Sequence, residues 1–297
     1  MASVSLARQR DDQAADTGTL LAAVLPKEDP FNSGALAVWG HMSPRTTAAA
    51  VHALTCPSPA AVGASLAICF DVGANIGFFS LVALHAGRCD AVVSVEVEPR
   101  LVRRLAISRR LSHAPHRWHL VHAAASNTSD SLDSREAWSR RREVRPSLLG
   151  LTRVRPREVA PPSWPPVPGV TVDDLAARLA QRVGTANVYV PLLKVDVEGG
   201  DGEVLQGARS LLHRCAVGSL LVELTDESAP VLLDLLAVAA TRCGYRAYAF
   251  REDYLATTIP PSLGSLLADG VLHPLPLDGR TMPRDAESVY CTMHAIS

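Results

Sequence analysis

The sequence ICFDVGANIGFF, residues 68–79, decides the fold class of this chain. Its apolar first half predicts a buried strand, its apolar second half predicts a helix, and Gly73 and Gly77 lie between them. The same alternation continues, with strands predicted at residues 66–70, 91–96, 118–123, 188–195, 219–224, 245–250 and 288–294. Helices are predicted at residues 76–86, 99–112, 172–182, 203–213 and 229–243. The chain is therefore expected to be an α/β protein with a mainly parallel, doubly wound sheet and helices on both faces.

Composition limits the partners of the chain. The 297 residues are 47% hydrophobic, enough for a substantial core, and the formal net charge is -1. A nearly neutral surface does not attract nucleic acid or an anionic membrane as a whole, so neither is predicted as a partner. The most apolar region, residues 60–87, is long enough to be considered as a membrane span, but it contains Asp71 and Asn75 near its middle. A central Asp costs about 2.5 to 3.5 kcal/mol in a membrane span, so this interpretation is disfavoured.

The cysteines predict a compartment. Six cysteines are scattered without a CxxC pair or a Cys/His pairing of metal-binding spacing. They are predicted to be free thiols in a reducing, cytoplasmic environment, with no metal centre. Residues 1–18 leave an organelle transit peptide as an open alternative.

Two regions lack the alternation of predicted strands and helices. Residues 1–60 carry loop signals at several prolines and predict an N-terminal extension or cap, which leaves residues 61–297 as the main domain. Within that domain, residues 127–169 form an arginine-rich, proline-rich insert without periodicity. Its arginines could bind a phosphate or sulfate on an acceptor, or they could form a surface loop that reflects composition alone.

The turn after the first predicted strand has the features of a ligand loop. Gly73 and Gly77 leave room for a ligand beside the backbone, and the following helix offers N–H groups to a carboxylate. Glu96 ends the next strand, 19 residues after Gly77, where it could accept both hydroxyls of a ribose. Asn75 stands where a dinucleotide loop has its middle glycine, and Asp71 suits an ammonium group. S-adenosyl-L-methionine is therefore favoured over NAD, and an ordinary strand-to-helix turn is the alternative.

A second polar motif, LLKVDVEGG, covers residues 192–200. Alternation along an extended chain predicts that Lys194, Asp196 and Glu198 share one face at the carboxyl edge of the sheet, where an acceptor hydroxyl would lie. Alternatively, Asp196 caps the next helix and Lys194 pairs with it. Glu223 ends another strand at this edge, either lining the acceptor side or acting as a solvated or capping acid.

These motifs, in this order, resemble the FkbM family of S-adenosylmethionine-dependent methyltransferases over residues 66–250. The resemblance rests on DVGANIGFFSLVA at 71–83, EVEP at 96–99, AAAS at 123–126, TVDDL at 171–175, LLKVDVEGGDGEVLQGA at 192–208 and LVEL at 221–224. It implies a Rossmann-like class I methyltransferase domain at 61–297, usually one that methylates hydroxyls of sugars, polyketides or similar small molecules.

The resemblance also assigns site residues. It implies that the cofactor residues are Asp71, Gly73, Asn75, Gly77, Glu96 and Ala124. A proline commonly follows the ribose acid in the family; here Val97 follows Glu96, and pairing Glu98 with Pro99 instead would move the ribose acid by two residues.

The predicted reaction is methyl transfer to an acceptor oxygen. Asp196 is the candidate base, directly or through water, and Lys194 or Glu198 orients the hydroxyl. A divalent cation held by Asp196 and another acid could replace the base. The alternatives are an NAD(P)-dependent oxidoreductase, which the absence of a YxxxK string disfavours, and a non-catalytic Rossmann-like binding module, which the intact glycines disfavour.

Overall fold

The structure is a computed structural model that describes residues 2–6, 18–22, 32–56, 63–129, 131–132, 167–223, 228–252, 258–275, 286 and 288–293. The strands are β1 (Ala2–Leu6), β2 (Gly18–Ala22), β3 (Leu66–Val72), β4 (Ala91–Glu96), β5 (Trp118–His122), β6 (Ala124–Ala125), β7 (Ser131–Leu132), β8 (Val167–Val170), β9 (Val188–Val195), β10 (Val217–Glu223), β11 (Arg246–Phe250), β12 (His273–Leu275) and β13 (Ser288–Thr292). The helices are α1 (Asn32–Trp39), α2 (Pro44–Thr55), α3 (Phe78–Ala86), α4 (Pro99–Leu111), α5 (Val172–Val183), α6 (Asp201–Gln206), α7 (Arg209–His213), α8 (Ser228–Cys243) and α9 (Leu263–Ala268).

The main sheet has eight strands in the order β12-β11-β13-β10-β9-β3-β4-β5. Strands β10, β9, β3, β4 and β5 pair in parallel, whereas β13 runs antiparallel to both β10 and β11. Within this sheet, the chain passes from β3 outward through β4 to β5. It then returns to β9 on the other side of β3 and continues outward to β10. This reversal between β3 and β9 is where open α/β sheets bind ligands, at the carboxyl ends of the strands.

Two apolar cores cover the two faces of the sheet. Alternate residues of β3 belong to opposite cores: Cys69 packs with α2, α3 and α4, whereas Ile68 and Phe70 pack with α5 to α8. Buried parallel strands require helices on both faces, because their side chains alternate between the faces. The predicted Rossmann-like, mainly parallel, doubly wound sheet is confirmed.

The register between β3 and β9 contains one irregularity. Ala67 pairs with Tyr189 and Phe70 pairs with Leu193, so β9 has one more residue than β3 over the interval that contains Pro191. Proline cannot donate to the ladder, and such positions favour bulges. Beyond the bulge, Asp71 pairs with Lys194, and this register brings the two sequence motifs together.

The N-terminal region packs on the sheet through α2. Its alanines and Leu54 are buried in the core on the α3 side, together with Leu36 of α1. A carboxylate from after β11 holds the start of α2, since Glu252 accepts bonds from the N–H groups of Arg45 and Thr46, both at 2.9 Å.

The prediction of six free thiols is wrong for four of them. Cys69 is joined to Cys89 and Cys215 to Cys243, with Cα–Cα distances of 5.7 and 5.4 Å, whereas Cys56 and Cys291 are free. The spacings of 20 and 28 residues gave no sign of a pair, because a helix separates the two cysteines of each pair in sequence and the fold returns the chain to the same place.

Parts of the sequence predictions lie outside the described residues. These parts are Leu224 and His294 at two strand ends, most of residues 1–18, and residues 133–166, which include the arginines of the insert. Within the described ranges, no helix combines the length and the apolar character that crossing a membrane requires.

Candidate active site

The turn between β3 and α3 has left-handed backbone at three positions, Gly73 (φ 71°), Asn75 (φ 52°) and Gly77 (φ 85°). A Cβ at Gly73 would overlap the backbone carbonyl of Asp196, and one at Gly77 would lie 2.6 Å from Leu105 and 2.9 Å from Trp118. Protein packing and positive φ therefore both require glycine at these two positions.

Asp71 is buried and bonded to protein. One carboxylate oxygen accepts from the N–H of Ser80 at 2.9 Å and from its hydroxyl at 2.6 Å. Because a carboxylate only accepts, the Ser80 hydroxyl must take its own hydrogen bond from Ser94, 2.6 Å away, and Trp118 donates to Ser94 at 2.6 Å. Asp71 thus ends a directed chain of hydrogen bonds, and its other carboxylate oxygen, Oδ1, is buried without a hydrogen-bond partner among the described residues.

Lys194 connects the two motifs. Its ammonium donates to the carbonyl of Gly73 at 2.9 Å and lies 3.5 Å from Asp71 and 3.2 Å from Asp196. It also lies 5.5 Å from the ring centre of Phe79, within the range of a cation–π contact. Burial by itself would lower the pKa of Lys194, but the charges of Asp196 and Asp71 raise that pKa above its ordinary value. Lys194 is therefore a charged, buried link, and its pairing with Asp196 agrees with the alternative drawn from the sequence.

Glu96 lies at the end of β4 and is only 1% exposed. Its carboxylate accepts from the N–H groups of Asn75, Val97 and Glu98 at 2.8 to 2.9 Å. Glu96 thereby ties the glycine turn to the start of α4, where Glu98 is the N-terminal capping position.

Ala124 begins β6, beside the end of β4 that carries Glu96. It follows β5, is 5% exposed, and pairs with Gly169 of β8. The preceding residue, Ala123, donates its N–H to the carbonyl of Glu96 at 3.2 Å. Glu96, Asn75 and Ala124 thus border one end of the strand edge.

The motif around Asp196 is not extended throughout. Strand β9 ends at Val195, and Glu198 has a left-handed φ of 61°, so alternation does not place Glu198 on the face of Lys194 as the sequence had indicated. The side chain of Asp196 is 42% exposed and does not cap α6, whose capping position is Gly200.

Asp201, which the sequence analysis did not identify, holds this turn. It is fully buried, and its carboxylate accepts from the N–H groups of Val197 at 3.0 Å and Gly199 at 3.1 Å. Burial raises the pKa of Asp201 to about 6, although these N–H groups act in the opposite direction. Ser80 and Ser94 were missed as well; a serine within the apolar strand AVVSVE was the available signal for Ser94.

Glu223 ends β10 beside this turn. Burial, followed by the charges of Asp196, Glu198 and Asp201, raises the pKa of Glu223 well above that of an ordinary glutamic acid. This part of the strand edge therefore carries several carboxyl groups close together.

The residues at the turn suit an amino-acid-like nucleoside. The side-chain oxygen of Asn75 is buried and has no hydrogen-bond partner among the described residues, so a donor from a ligand could satisfy it. Glu96 offers an acid at the neighbouring strand end. In the described part of the chain, His, Cys, Asp and Glu side chains form no group of three or more that could hold a metal ion.

Comparison with known proteins gives one family. A sequence model of the "Methyltransferase FkbM domain" matches residues 71–247, which is more than half of the chain. No curated protein matches the sequence.

Solved structures with a similar fold are distant. Methyltransferase FkbM from Methylobacillus flagellatus KT is 15% identical with a TM-score of 0.42; the match covers 76% of this chain and 43% of that one, so the chain spans less than half of that protein's length. A precorrin-6y C5,15-methyltransferase from Geobacter metallireducens GS-15 is 10% identical, with a TM-score of 0.36 and coverage of 83% and 86%. A SAM-dependent methyltransferase from Agrobacterium tumefaciens is 12% identical, with a TM-score of 0.35 and coverage of 83% and 60%. At these TM-scores, the likeness carries no information about function.

Proposed function

Because the chain belongs to the FkbM family of methyltransferases, we propose that it transfers the methyl group of S-adenosyl-L-methionine to a hydroxyl oxygen of a small-molecule or saccharide acceptor. The observation that carries this proposal is the contact of Lys194 with both Asp71 and Asp196. It joins the glycine turn and the KVDVEG motif into one site at the carboxyl edge of neighbouring parallel strands.

On the cofactor side, we assign different tasks to the residues. Glu96 is the ribose acid, because it lies at the strand end beside the turn. The alternative Glu98 already occupies the capping position of α4. The side-chain oxygen of Asn75 accepts from the ammonium group of the cofactor. The surface against which the cofactor lies is shaped by Gly73, Gly77 and Ala124. Asp71 acts through Ser80 and Lys194, which it holds in place.

When bound, S-adenosyl-L-methionine supplies a methyl group that is already activated by a sulfonium. The protein must therefore align the acceptor oxygen and remove its proton, which are contributions from orientation and general-base catalysis. Asp196 is the proposed base, since its side chain is 42% exposed at this edge and is paired with Lys194. Lys194 orients Asp196 from inside the protein, and Glu198 faces the acceptor from the turn.

The charge of the edge limits the acceptor. The pKa of Glu223 is raised by the negative charges of Asp196, Glu198 and Asp201. An anionic acceptor at this edge would therefore meet like charges. We therefore expect neutral hydroxyl compounds, such as saccharides, to be better acceptors than phosphorylated or carboxylated ones.

Calorimetry with S-adenosylmethionine, S-adenosylhomocysteine and NADH tests the cofactor. We expect the first two to bind and NADH not to bind. Glu96→Gln should weaken binding by about 10-fold to 100-fold, because it removes a charged acceptor. Asp234→Asn, on the exposed face of α8, is the matched control and should bind like wild type. Binding of NADH alone would replace the proposal with an oxidoreductase.

Transfer is measured as release of S-adenosylhomocysteine in the presence of methyl glucoside, methyl mannoside or methyl rhamnoside. Asp196→Asn should abolish release and leave the Kd for the cofactor within about threefold of wild type. Equal loss of both would make Asp196 a structural residue. Cofactor binding without transfer to any hydroxyl compound would favour a non-catalytic binding module.

A further inference from the structure

Glu223 stands beside the proposed base. In the parallel pairing of β10 with β9, Leu221 is opposite Lys194 and Val222 is opposite Val195, so Glu223 comes next to Asp196 at the strand edge. Leu221 belongs to the core on the α3 side and Val222 to the opposite core. Alternation therefore directs Glu223 to the α3 side, which is also the side of Lys194.

The surroundings of Glu223 are rich in negative charge. The groups facing it are Asp196 after β9, Glu198 in the turn and Asp201 at the start of α6. Lys194 is the cation of this cluster, but its ammonium lies against Gly73, Asp71 of β3 and Asp196. Glu223 is thus surrounded mainly by like charges, which favour its neutral form.

The position of Glu223 beside Asp196 also favours the neutral form of Glu223. Glu223 and Asp196 lie side by side at the ends of neighbouring parallel strands, and two adjacent carboxyl groups can hydrogen-bond to each other only when one of them carries a proton. Asp196 is paired with the Lys194 ammonium, which favours its ionised form. The oxygen Oε2 of Glu223 is buried without a hydrogen-bond partner among the described residues, which is costly for an ionised carboxylate.

We propose that Glu223 is a positioning residue: a neutral carboxylic acid that donates a hydrogen bond to Asp196 and holds this carboxylate toward the acceptor. The pair then carries one negative charge and one shared proton, with Lys194 on one side of Asp196 and Glu223 on the other. The inference rests on the proposed function of Asp196 as the base.

Infrared spectroscopy of the full-length protein without ligands tests the charge state. We expect the C=O stretch of a protonated carboxylic acid at pH 8, and we expect Glu223→Gln to remove it. Asp201→Asn is the matched control and should retain the band, because Asp201, with a pKa of about 6, is ionised at that pH. Absence of a Glu223-dependent band at pH 8 would overturn the proposal, whatever the fate of the proposed function.

Kinetics with whichever methyl glycoside is methylated test the role. Glu223→Leu has no hydrogen-bond donor and should lower kcat by about 10-fold to 100-fold with little change in KM. Glu223→Gln keeps a donor and should restore most of kcat, and it should keep activity at alkaline pH where wild type loses it. Circular dichroism verifies that both variants are folded. If Glu223→Gln is as inactive as Glu223→Leu, Glu223 acts as an ionised group and the proposal is wrong.

Discussion

Lys194 is one of two lysines in a chain that has 27 arginines. The sequence indicated its place at a strand end, because KVDVEG ends an apolar run. Its contact with Asp71 could not be predicted, since 123 residues separate the two and their pairing depends on the bulge in β9. The alternation that correctly associated Lys194 with Asp196 was wrong for Glu198, because the chain turns at that residue.

Replacing Lys194 tests this buried link. Lys194→Met should lower the free energy of unfolding by about 3 to 5 kcal/mol, because it leaves the buried carboxylate of Asp71 without its cation. Urea denaturation at neutral pH measures the change. Adding Asp71→Asn to Lys194→Met should recover part of the loss, since it removes one of the uncompensated charges. A loss below about 1 kcal/mol for the single variant would show that water replaces the ammonium.

Among the elements, the central strands and their helices were predicted closely and the interruptions were not. Strands β4 and β9 have the predicted bounds, but the helix expected at residues 203–213 is divided into α6 and α7. The division occurs at Gly207, where a Cβ would overlap the carbonyl of Ser126, a contact between distant segments that no local pattern reveals. The short strand β8, in a proline-rich stretch, was missed for the same reason: its pairing with β6 and β7 is set by the fold.

The start of α2 offers a prediction at this scale. Its capping position, Ser43, makes no side-chain cap, and Glu252 takes that role from 206 residues away by accepting from the N–H and hydroxyl of Thr46. Glu252→Gln should lower the free energy of unfolding by about 1 to 2 kcal/mol and speed amide exchange in α2, because it removes the negative charge at the helix N-terminus. Hydrogen exchange read by mass spectrometry measures this.

A local cap provides the control. Ser262 accepts from the N–H of Ser265 at the start of α9, so Ser262→Ala should speed exchange in α9 and leave α2 unchanged. If Glu252→Gln leaves exchange in α2 unchanged, other contacts fix this helix and Glu252 is not its cap.

Across the whole molecule, the sequence predicted the mainly parallel, doubly wound sheet, because strands and helices alternate along the chain. The family expected from the motifs is confirmed. It could be predicted from the sequence because each motif at the strand edge is a short, continuous stretch of the chain. The described part of the N-terminal region was harder to predict: α2 is rich in alanine and threonine, whose burial depends on the surface that they meet. His52 of α2 hydrogen-bonds to Tyr290 of β13 at 2.8 Å, which joins the N-terminal region to the last strand of the sheet.

This packing predicts how the molecule tolerates truncation. Leu36 and Leu54 are both at most 1% exposed, and full burial of two such side chains contributes about 3 to 6 kcal/mol, a large part of the roughly 5 to 15 kcal/mol that stabilises a typical protein. We therefore expect a chain of residues 61–297 to lose cooperative urea unfolding and to bind a hydrophobic dye, because its α3 face is uncovered. A chain that starts at residue 32 retains α1 and α2 and should unfold cooperatively. Equal unfolding midpoints for the two chains would mean that the N-terminal 60 residues are an extension that the methyltransferase domain does not need.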